Sequence, residues 1–233
     1  MSTTTPPPIQ PNTYRAILAD PPWDLYQKGK YGAAKHYDLM DLESIKRLGK
    51  AVDYAAAEKS YLFLWVTTAT VPAGLEVLEA WGFRYTSYYF WAKPRMTLGN
   101  TFRNAGELLL LGTRGKANKF NYRSQPNWGM YPVQGHSHKP EEIHLMIQRV
   151  VGPGQYLELF ARRPAPTRQK WDVWGNEIAA TVSLKEFGFE VPSDRQRSAG
   201  GEPPESSEIP EPEAQSLSPS TKEPSSDPDK EEA

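Results

Sequence analysis

The chain has 233 residues, 38% of them hydrophobic, and contains no cysteine. This length suffices for one full-sized domain with additional segments, and the lack of cysteine excludes disulfides, thiolate metal ligands and a cysteine nucleophile. The net charge of −1 hides an asymmetry, because residues 191–233 sum to −7 and residues 1–190 to +6. The sequence shows neither a signal peptide nor a membrane helix, so we expect a cytoplasmic protein without membrane contacts.

Short apolar runs alternate with helical patterns along most of the chain. The predicted elements are a strand over 15–19, a helix from Asp41 to about Ala57, a strand over 61–66, a helix over 72–81, strands over 83–92 and 107–112, a helix over about 140–150 and a strand over 155–160. This alternation predicts an α/β domain with a mostly parallel sheet flanked by helices. Ligands of such sheets bind at the carboxyl ends of the strands, where Asp20 and residues 160–162 fall.

The segments that flank this domain differ from it in composition. Residues 1–12 are expected to be flexible, and residues 182–233 are expected to be largely disordered. The latter are rich in Pro, Ser and Glu, and apolar burial there would not offset the entropy of ordering. The predicted domain is therefore 13–181. We interpret the acidic tail as a solubilising segment, with autoinhibition by contact with basic residues as the alternative.

The tetrapeptide Asp20-Pro21-Pro22-Trp23 directly follows the first predicted strand. The two prolines form a stiff segment with carbonyl oxygens but no N–H donors, and Asp20 is kept out of helical conformation by the proline that follows it. A carboxylate and rigid carbonyls suit an amino group that donates two hydrogen bonds, such as the exocyclic amine of a nucleobase. Catalysis would then rest on positioning and electrostatics. The alternative is a plain strand-to-loop turn with a buried Trp23.

Five further segments accompany this tetrapeptide in a characteristic order: 61–66, 81–83, 137–141, 158–162 and 174–177. Together they resemble a permuted Asp-Pro-Pro-Trp family of adenine-N6 methyltransferases, typified by the catalytic subunit of the eukaryotic mRNA N6-adenosine methyltransferase. The chain looks most like bacterial and phage members, and the resemblance spans about Tyr14 to Ile178. It implies a circularly permuted, Rossmann-like S-adenosylmethionine-dependent methyltransferase fold. It also implies methyl transfer from S-adenosylmethionine to the N6 amino group of adenine in nucleic acid.

The resemblance implies roles for individual residues. Asp20 and Pro21 would hold the target amino group, Pro22 and Trp23 would shape the pocket, and Tyr37 would close on the target base. The cofactor-binding residues would be Asp20, Lys139, Phe160, Arg162, Asn176 and Glu177. Lys139 suits the carboxylate of the methionine end, and Glu177 suits ribose hydroxyls. The chain departs from the mRNA enzyme upstream of the first strand and over residues 163–170.

Residues 93–123 carry a net charge of +6, with Glu107 as the one acidic residue. Aromatic residues interleave with these cations, a pattern that suits single strands because cations follow phosphates and rings stack on unpaired bases. We therefore predict substrate contacts from Arg103, Lys119, Tyr122 and Arg123. The alternative is an ordinary solvated face. An adenine within a duplex would have to be flipped out of the stack.

DNA is expected rather than RNA, because the chain is compact and shows neither a zinc finger nor the partner-binding helix of the mRNA enzyme. The alternatives are an RNA adenosine N6-methyltransferase, a catalytically silent nucleic-acid-binding subunit of a methyltransferase pair, and an amino-methyltransferase for cytosine. The spacing of His36, His136 and His138 fits no zinc signature, so no metal is expected. A homodimer and a heterodimer both remain open.

Overall fold

A computed structural model describes residues 6–24, 39–97, 102–116, 119–135 and 138–191. The elements are β1 (Tyr14–Ala19), α1 (Leu42–Arg47), α2 (Gly49–Ala55), β2 (Ala56–Val66), α3 (Val71–Ala80), β3 (Arg84–Thr97), β4 (Asn104–Arg114), β5 (Trp128–Met130), α4 (Glu142–Val151), β6 (Gln155–Leu159) and β7 (Trp171–Trp174). A short 3-10 helix (Lys185–Phe187) follows. In this part of the chain, every helix is too short or too polar to cross a membrane.

The strands form one sheet in the order β5-β3-β4-β2-β1-β6-β7. Neighbouring strands are parallel except where β4 lies between β2 and β3, to both of which it is antiparallel. The interior strand β1 is apolar and buried from Ala16 to Ala19, as expected where helices cover both faces of a parallel sheet. The predicted mostly parallel α/β fold is confirmed. All described strands except β4 end at the same edge of the sheet, and β4 begins there.

Two apolar clusters cover the two faces of the sheet. Helices α1, α2 and α3 form one of them with alternate residues of β1 and β2. Helix α4 forms the other, which includes Trp65 and Trp91. Trp65, Trp81 and Trp91 are all at most 1% exposed, which confirms their prediction as core residues. Burial of large apolar side chains stabilises a fold by about 1.5–3 kcal/mol each.

The helix predicted from Asp41 to Ala57 is in fact two helices with a break at Leu48. Asp41 caps the first of them, as predicted, by accepting a hydrogen bond from Ser44 N at 2.7 Å. At the break, the Ile45 carbonyl accepts hydrogen bonds from Leu48 N and from the Trp81 indole. The chain then needs Gly49, because a Cβ there would lie 2.6 Å from the carbonyl oxygen of Ala80. Packing against α3 therefore interrupts a pattern that looked continuous.

Two strands escaped prediction because each is short and is stabilised by its partner. β5 has three residues and pairs with β3 from Phe90 to Ala92. β7 has four residues and pairs with β6, with Tyr156 opposite Trp171. Neither segment carries enough residues for a recognisable period, so tertiary pairing decides its conformation.

The folded core extends past both predicted domain ends, at 13 and 181. Pro8 forms a parallel bridge with Ser183, and Ile9 is 3% exposed. Val182 and Leu184 are also buried in the cluster beneath α1 to α3. The two predicted flanking segments thus contribute apolar side chains to the core. The rest of the predicted acidic tail, from residue 192, lies outside the described residues.

Candidate active site

A cavity opens at the edge of the sheet where β1 and β6 end. It lies on the α4 face, because Leu18 of β1 and Ile143 of α4 both line it. Asp20 follows β1 and Phe160 follows β6, so parallel strand ends bring both to the cavity. The other lining residues are Trp65, His138, Lys139, Pro140, Glu141, His144, Glu158, Arg162, Arg163, Pro164 and Pro166.

Four side chains of alternating charge form a connected network beside the cavity. Lys139 Nζ lies 2.8 Å from Asp20 Oδ2 and 3.3 Å from Glu107 Oε2. Lys93 Nζ in turn lies 2.6 Å from Glu107 Oε1. β3 and β4 bring Lys93 and Glu107 together, since one strand ends and the other begins at this edge. The four side chains are only 16% to 28% exposed, and charged groups that are largely buried require partners of opposite charge.

The network sets the protonation of its members. Burial raises the pKa of Asp20, and the ion pair with Lys139 opposes this rise. Burial alone would raise the pKa of Glu107, but Lys139 and Lys93 outweigh it and lower that pKa. Burial alone would lower the pKa of Lys139, but Asp20 and Glu107 outweigh it and raise that pKa. Lys139 is therefore a fixed cation at neutral pH, with Asp20 as its carboxylate partner.

The remaining residues of the tetrapeptide form a turn beneath this network. Trp23 N donates to the Pro21 carbonyl at 2.9 Å, and Met40 N donates to the Pro22 carbonyl at 2.8 Å. The Trp23 side chain is 7% exposed and lies in the core beneath α1 to α3, where its indole donates to the Trp65 carbonyl at 3.2 Å. Trp23 is thus buried, as the alternative interpretation expected, and it fixes Trp65. The Trp65 ring itself lines the cavity with Lys139 Nζ 5.5 Å from its centroid.

On the other side of the cavity, the chain after β6 lies against the chain after β7. Phe160 has a φ of 63°, an uncommon conformation for a residue with a side chain, and its ring contacts Trp174 edge to face. Ala161 N donates to the Trp174 carbonyl at 3.0 Å. Gly175 is required here, because a Cβ would overlap the carbonyl oxygen of Ala161.

This contact brings together the predicted cofactor-binding residues of the two strands. Arg162 Nε lies 2.7 Å from Glu177 Oε1, and Asn176 is exposed beside them. Arg162 and Phe160 line the cavity. Glu177 and Asn176 are exposed and do not line the cavity themselves, and Glu177 is joined to it through Arg162.

The predicted substrate contacts are divided between two ends of the sheet. Arg103 precedes β4 at the cavity edge. Lys119, Tyr122 and Arg123 instead follow the far end of β4, where Asn121 N donates to Val150 O near the end of α4. α4 begins beside the cavity, and Val150 lies about 12 Å further along it at 1.5 Å per residue. The structure therefore brings Arg103 towards the cavity but not the other three. Tyr37 lies outside the described residues.

Sequence reasoning predicted no role for several residues that lie in or beside the cavity. Glu107 was noticed only as the exception in a basic stretch, and its place between Lys93 and Lys139 depends on strand register. Glu158 belonged to a motif of the resemblance, but no role was predicted for it. His144 gave no signal beyond its position in a helical pattern. Among the described residues, no group of three or more His, Asp and Glu side chains could hold a metal ion.

Comparison with known proteins gives a family and several relatives. The MT-A70 family matches residues 14–177. Human N(6)-adenosine-methyltransferase catalytic subunit METTL3 is 30% identical over 173 residues, which are 71% of this chain and 28% of that protein. The N(6)-adenosine-methyltransferase MT-A70-like protein of Drosophila melanogaster is 27% identical over 173 residues, 71% and 27% of the two chains. Mouse N(6)-adenine-specific methyltransferase METTL4 is 26% identical over 186 residues, 71% and 38% of the two chains. The chain thus spans well under half the length of these relatives.

Proposed function

The chain belongs to the MT-A70 family, and from this premise we propose that it transfers a methyl group from S-adenosylmethionine to the N6 amino group of adenine in nucleic acid. The observation that carries the proposal is the position of Asp20, whose carboxylate faces the cavity at the end of β1 and is held by Lys139 at 2.8 Å. The names of the relatives, which refer to adenosine or adenine N6 methylation, support the same reaction.

The cavity fits S-adenosylmethionine in the chemistry of its walls. Small-molecule sites combine apolar walls with a few polar groups, and this cavity combines Leu18, Trp65 and Phe160 with charged side chains. Lys139 would hold the carboxylate of the methionine end, Phe160 and Arg162 would lie beside the donor, and Asn176 with Glu177 would bind its ribose. When bound, S-adenosylmethionine supplies an activated methyl group.

The residues of the chain act on the acceptor amine. An ionised Asp20 carboxylate would accept a hydrogen bond from the amino group of the adenine and so orient the lone pair of that nitrogen. The turn through Pro21 and Pro22 fixes the backbone that carries this carboxylate. Because the site is partly closed from water, a preorganised charge there acts more strongly than it would in solution.

Three finer statements belong to the same proposal. We propose DNA rather than RNA as the polymer, a chain of the compact bacterial and phage type, and a cytoplasmic location. The exposed rings of Phe102 and Trp128, 87% and 55% exposed, support contacts with unpaired bases. They do not discriminate between DNA and RNA, so matched substrates must do so.

The test is methyl transfer from labelled S-adenosylmethionine to DNA and RNA oligonucleotides of the same sequence, with the modified base identified by mass spectrometry. We expect N6-methyladenine in DNA. Asp20→Asn removes the charged acceptor and should lower kcat by about 100- to 1,000-fold. Asp53→Asn, the same change at a surface residue paired with Arg114, is the matched control.

Each other outcome has a defined meaning. Methylation of RNA alone would show that RNA, not DNA, is the substrate. Methylated cytosine in place of methylated adenine would show that cytosine is the target base. A wild-type chain that binds nucleic acid but transfers no methyl group would be a silent subunit. Full activity in Asp20→Asn would refute the role of Asp20.

A further inference from the structure

The wall of the cavity contains a histidine–carboxylate pair that the function above does not use. His144 Nε2 of α4 lies 2.8 Å from Glu158 Oε2 of β6. The two side chains are 13% and 16% exposed, and both line the cavity. Glu158 lies opposite Leu18 in the register of β6 with β1, two residues before Asp20. The pair therefore lies near Asp20, in the wall of the cavity that Lys139 also lines.

Glu158 differs from the other two carboxylates of the cavity in its surroundings. Asp20 is paired with Lys139, and Glu141, 47% exposed, has His138 at the longer distance of 3.9 Å. Within the described part of the chain, no lysine or arginine lies at ion-pair distance from Glu158, and His144 is its hydrogen-bond partner. The hydrogen bond engages Oε2, which leaves Oε1 as an acceptor for a ligand in the cavity that Glu158 lines.

The imidazole of His144 is fixed by Glu158 and by one aromatic contact. Its ring meets Trp171 edge to face, with centroids 4.8 Å apart and an interplanar angle of 78°. Its second nitrogen, Nδ1, is buried and has no hydrogen-bond partner among the described residues. A buried polar atom without a partner is destabilising, and an apolar ring would fill the same space without one. The contact with Glu158 is thus the feature that an imidazole adds at this position.

We propose that His144 is a positioning residue that donates its Nε2–H to Glu158 and holds this carboxylate towards the ammonium group of the donor. The proposal rests on the proposed function, because it takes S-adenosylmethionine as the ligand. The amino-acid end of that molecule carries one carboxylate and one ammonium group. Lys139 supplies the cation for the former and Glu158 the anion for the latter. Since a carboxylate only accepts hydrogen bonds when ionised, the imidazole nitrogen is the donor.

The test compares two substitutions at one position. His144→Phe keeps a ring against Trp171 but removes the donor, whereas His144→Gln keeps a donor. Calorimetry is performed with S-adenosylmethionine, with S-adenosylhomocysteine, and with methylthioadenosine, which lacks the amino-acid end. We expect His144→Phe to bind the first two ligands about ten- to a hundredfold more weakly, the loss seen when the partner that orients a ligand-contacting side chain is removed. Its affinity for methylthioadenosine should be unchanged, and His144→Gln should recover most of the loss.

Kinetics give a second readout that a merely structural role would not move. The KM for S-adenosylmethionine should rise in His144→Phe while kcat and the KM for nucleic acid stay constant. Glu158→Gln, which keeps the shape but removes the charge, should show the same selective loss. It also serves as the test if His144→Phe does not fold, as judged by thermal unfolding.

Two results would overturn the inference while the proposed function stands. One is that His144→Phe and Glu158→Gln bind all three ligands with the affinity of the wild type. The other is an equal loss for all three, which would mean that the pair only shapes the cavity. A wild-type chain that binds none of the three ligands would overturn the proposed function together with this inference.

Discussion

The protonation of Asp20 is subject to opposing influences. Burial raises the pKa of its carboxyl group, as do the negative charges of Glu107 and Glu158, whereas Lys139 at 2.8 Å opposes this rise. The carboxylate must be ionised to accept the hydrogen bonds of an amine, so the proposed activity depends on where this balance falls.

We therefore predict the pH dependence of kcat/KM for the nucleic acid. The midpoint of its acid limb should lie at a higher pH than the ordinary pKa range of an aspartate. Because the pKa of Asp20 is raised, the carboxylate becomes protonated, and activity falls, at a higher pH than usual. Glu107→Gln removes a neighbouring negative charge and should move the limb to lower pH. Lys139→Met removes the opposing cation and should move it to higher pH, measured at saturating donor. Shifts in the same direction for both variants would contradict the network.

Gly175 connects two elements, since its backbone touches Ala161 and so joins the ends of β6 and β7. Gly175→Ala should reduce the free energy of unfolding by about 1–3 kcal/mol, the usual cost of overpacking. It should also weaken donor binding, because Arg162 and Glu177 flank this contact. Chemical denaturation and calorimetry measure the two effects.

Gly135→Ala is the matched control for this prediction. A Cβ at Gly135 would have no neighbour within 4 Å, and its φ is not positive. This variant should unfold like the wild type. Equal stability of Gly175→Ala and the wild type would show that the strand ends can separate without cost.

At the scale of elements, the apolar patterns predicted β1, α3, α4 and β6 with ends close to those observed. β2 begins at Ala56, five residues before its predicted start, because its first residues, such as Glu58 and Lys59, are polar and exposed. The tetrapeptide and Lys139 could also be identified, because both belong to motifs of the resemblance. The charge network could not be derived in full. Glu107 reaches Lys93 only through the register that sets Trp91 opposite Glu107, and no local pattern specifies register across a fourteen-residue strand.

The distribution of cations concerns the whole molecule. The basic stretch looked like one surface in the sequence, but the structure sends Arg103 to the cavity edge and Lys119 to the opposite end of α4. If both ends contact the polymer, the substrate must extend along the α4 face. A short oligonucleotide in the site would then reach Arg103 without reaching Lys119.

We predict that Lys119→Ala combined with Arg123→Ala weakens binding of a long single-stranded oligonucleotide. The slope of the logarithm of the binding constant against the logarithm of salt concentration should become shallower by about 1.5, which corresponds to the loss of two phosphate contacts. The same variant should bind an oligonucleotide of about three nucleotides, roughly 10 Å of stacked strand, like the wild type. Arg103→Ala should weaken both. Fluorescence anisotropy over a salt series measures these constants.

Lys50→Ala combined with Lys185→Ala, at positions outside the basic stretch, is the control for removed charge. If the control weakens binding as much as the Lys119 and Arg123 variant, net charge rather than a specific face governs the affinity.

The position of β1 has a consequence for how the protein is made. This strand precedes the other described strands of the sheet, yet it pairs with β6, so Ala19 meets Leu159 only after most of the domain has been synthesised. Until then one edge of β1 has no partner, and open strand edges promote aggregation. Asp20 and Lys139 are 119 positions apart, so the ion pair at the site also forms late, and non-local pairings of this kind fold slowly. A nascent chain would thus hold β1 half-paired until β6 has been synthesised, and the ion pair at the site would form only as the last third of the domain leaves the ribosome.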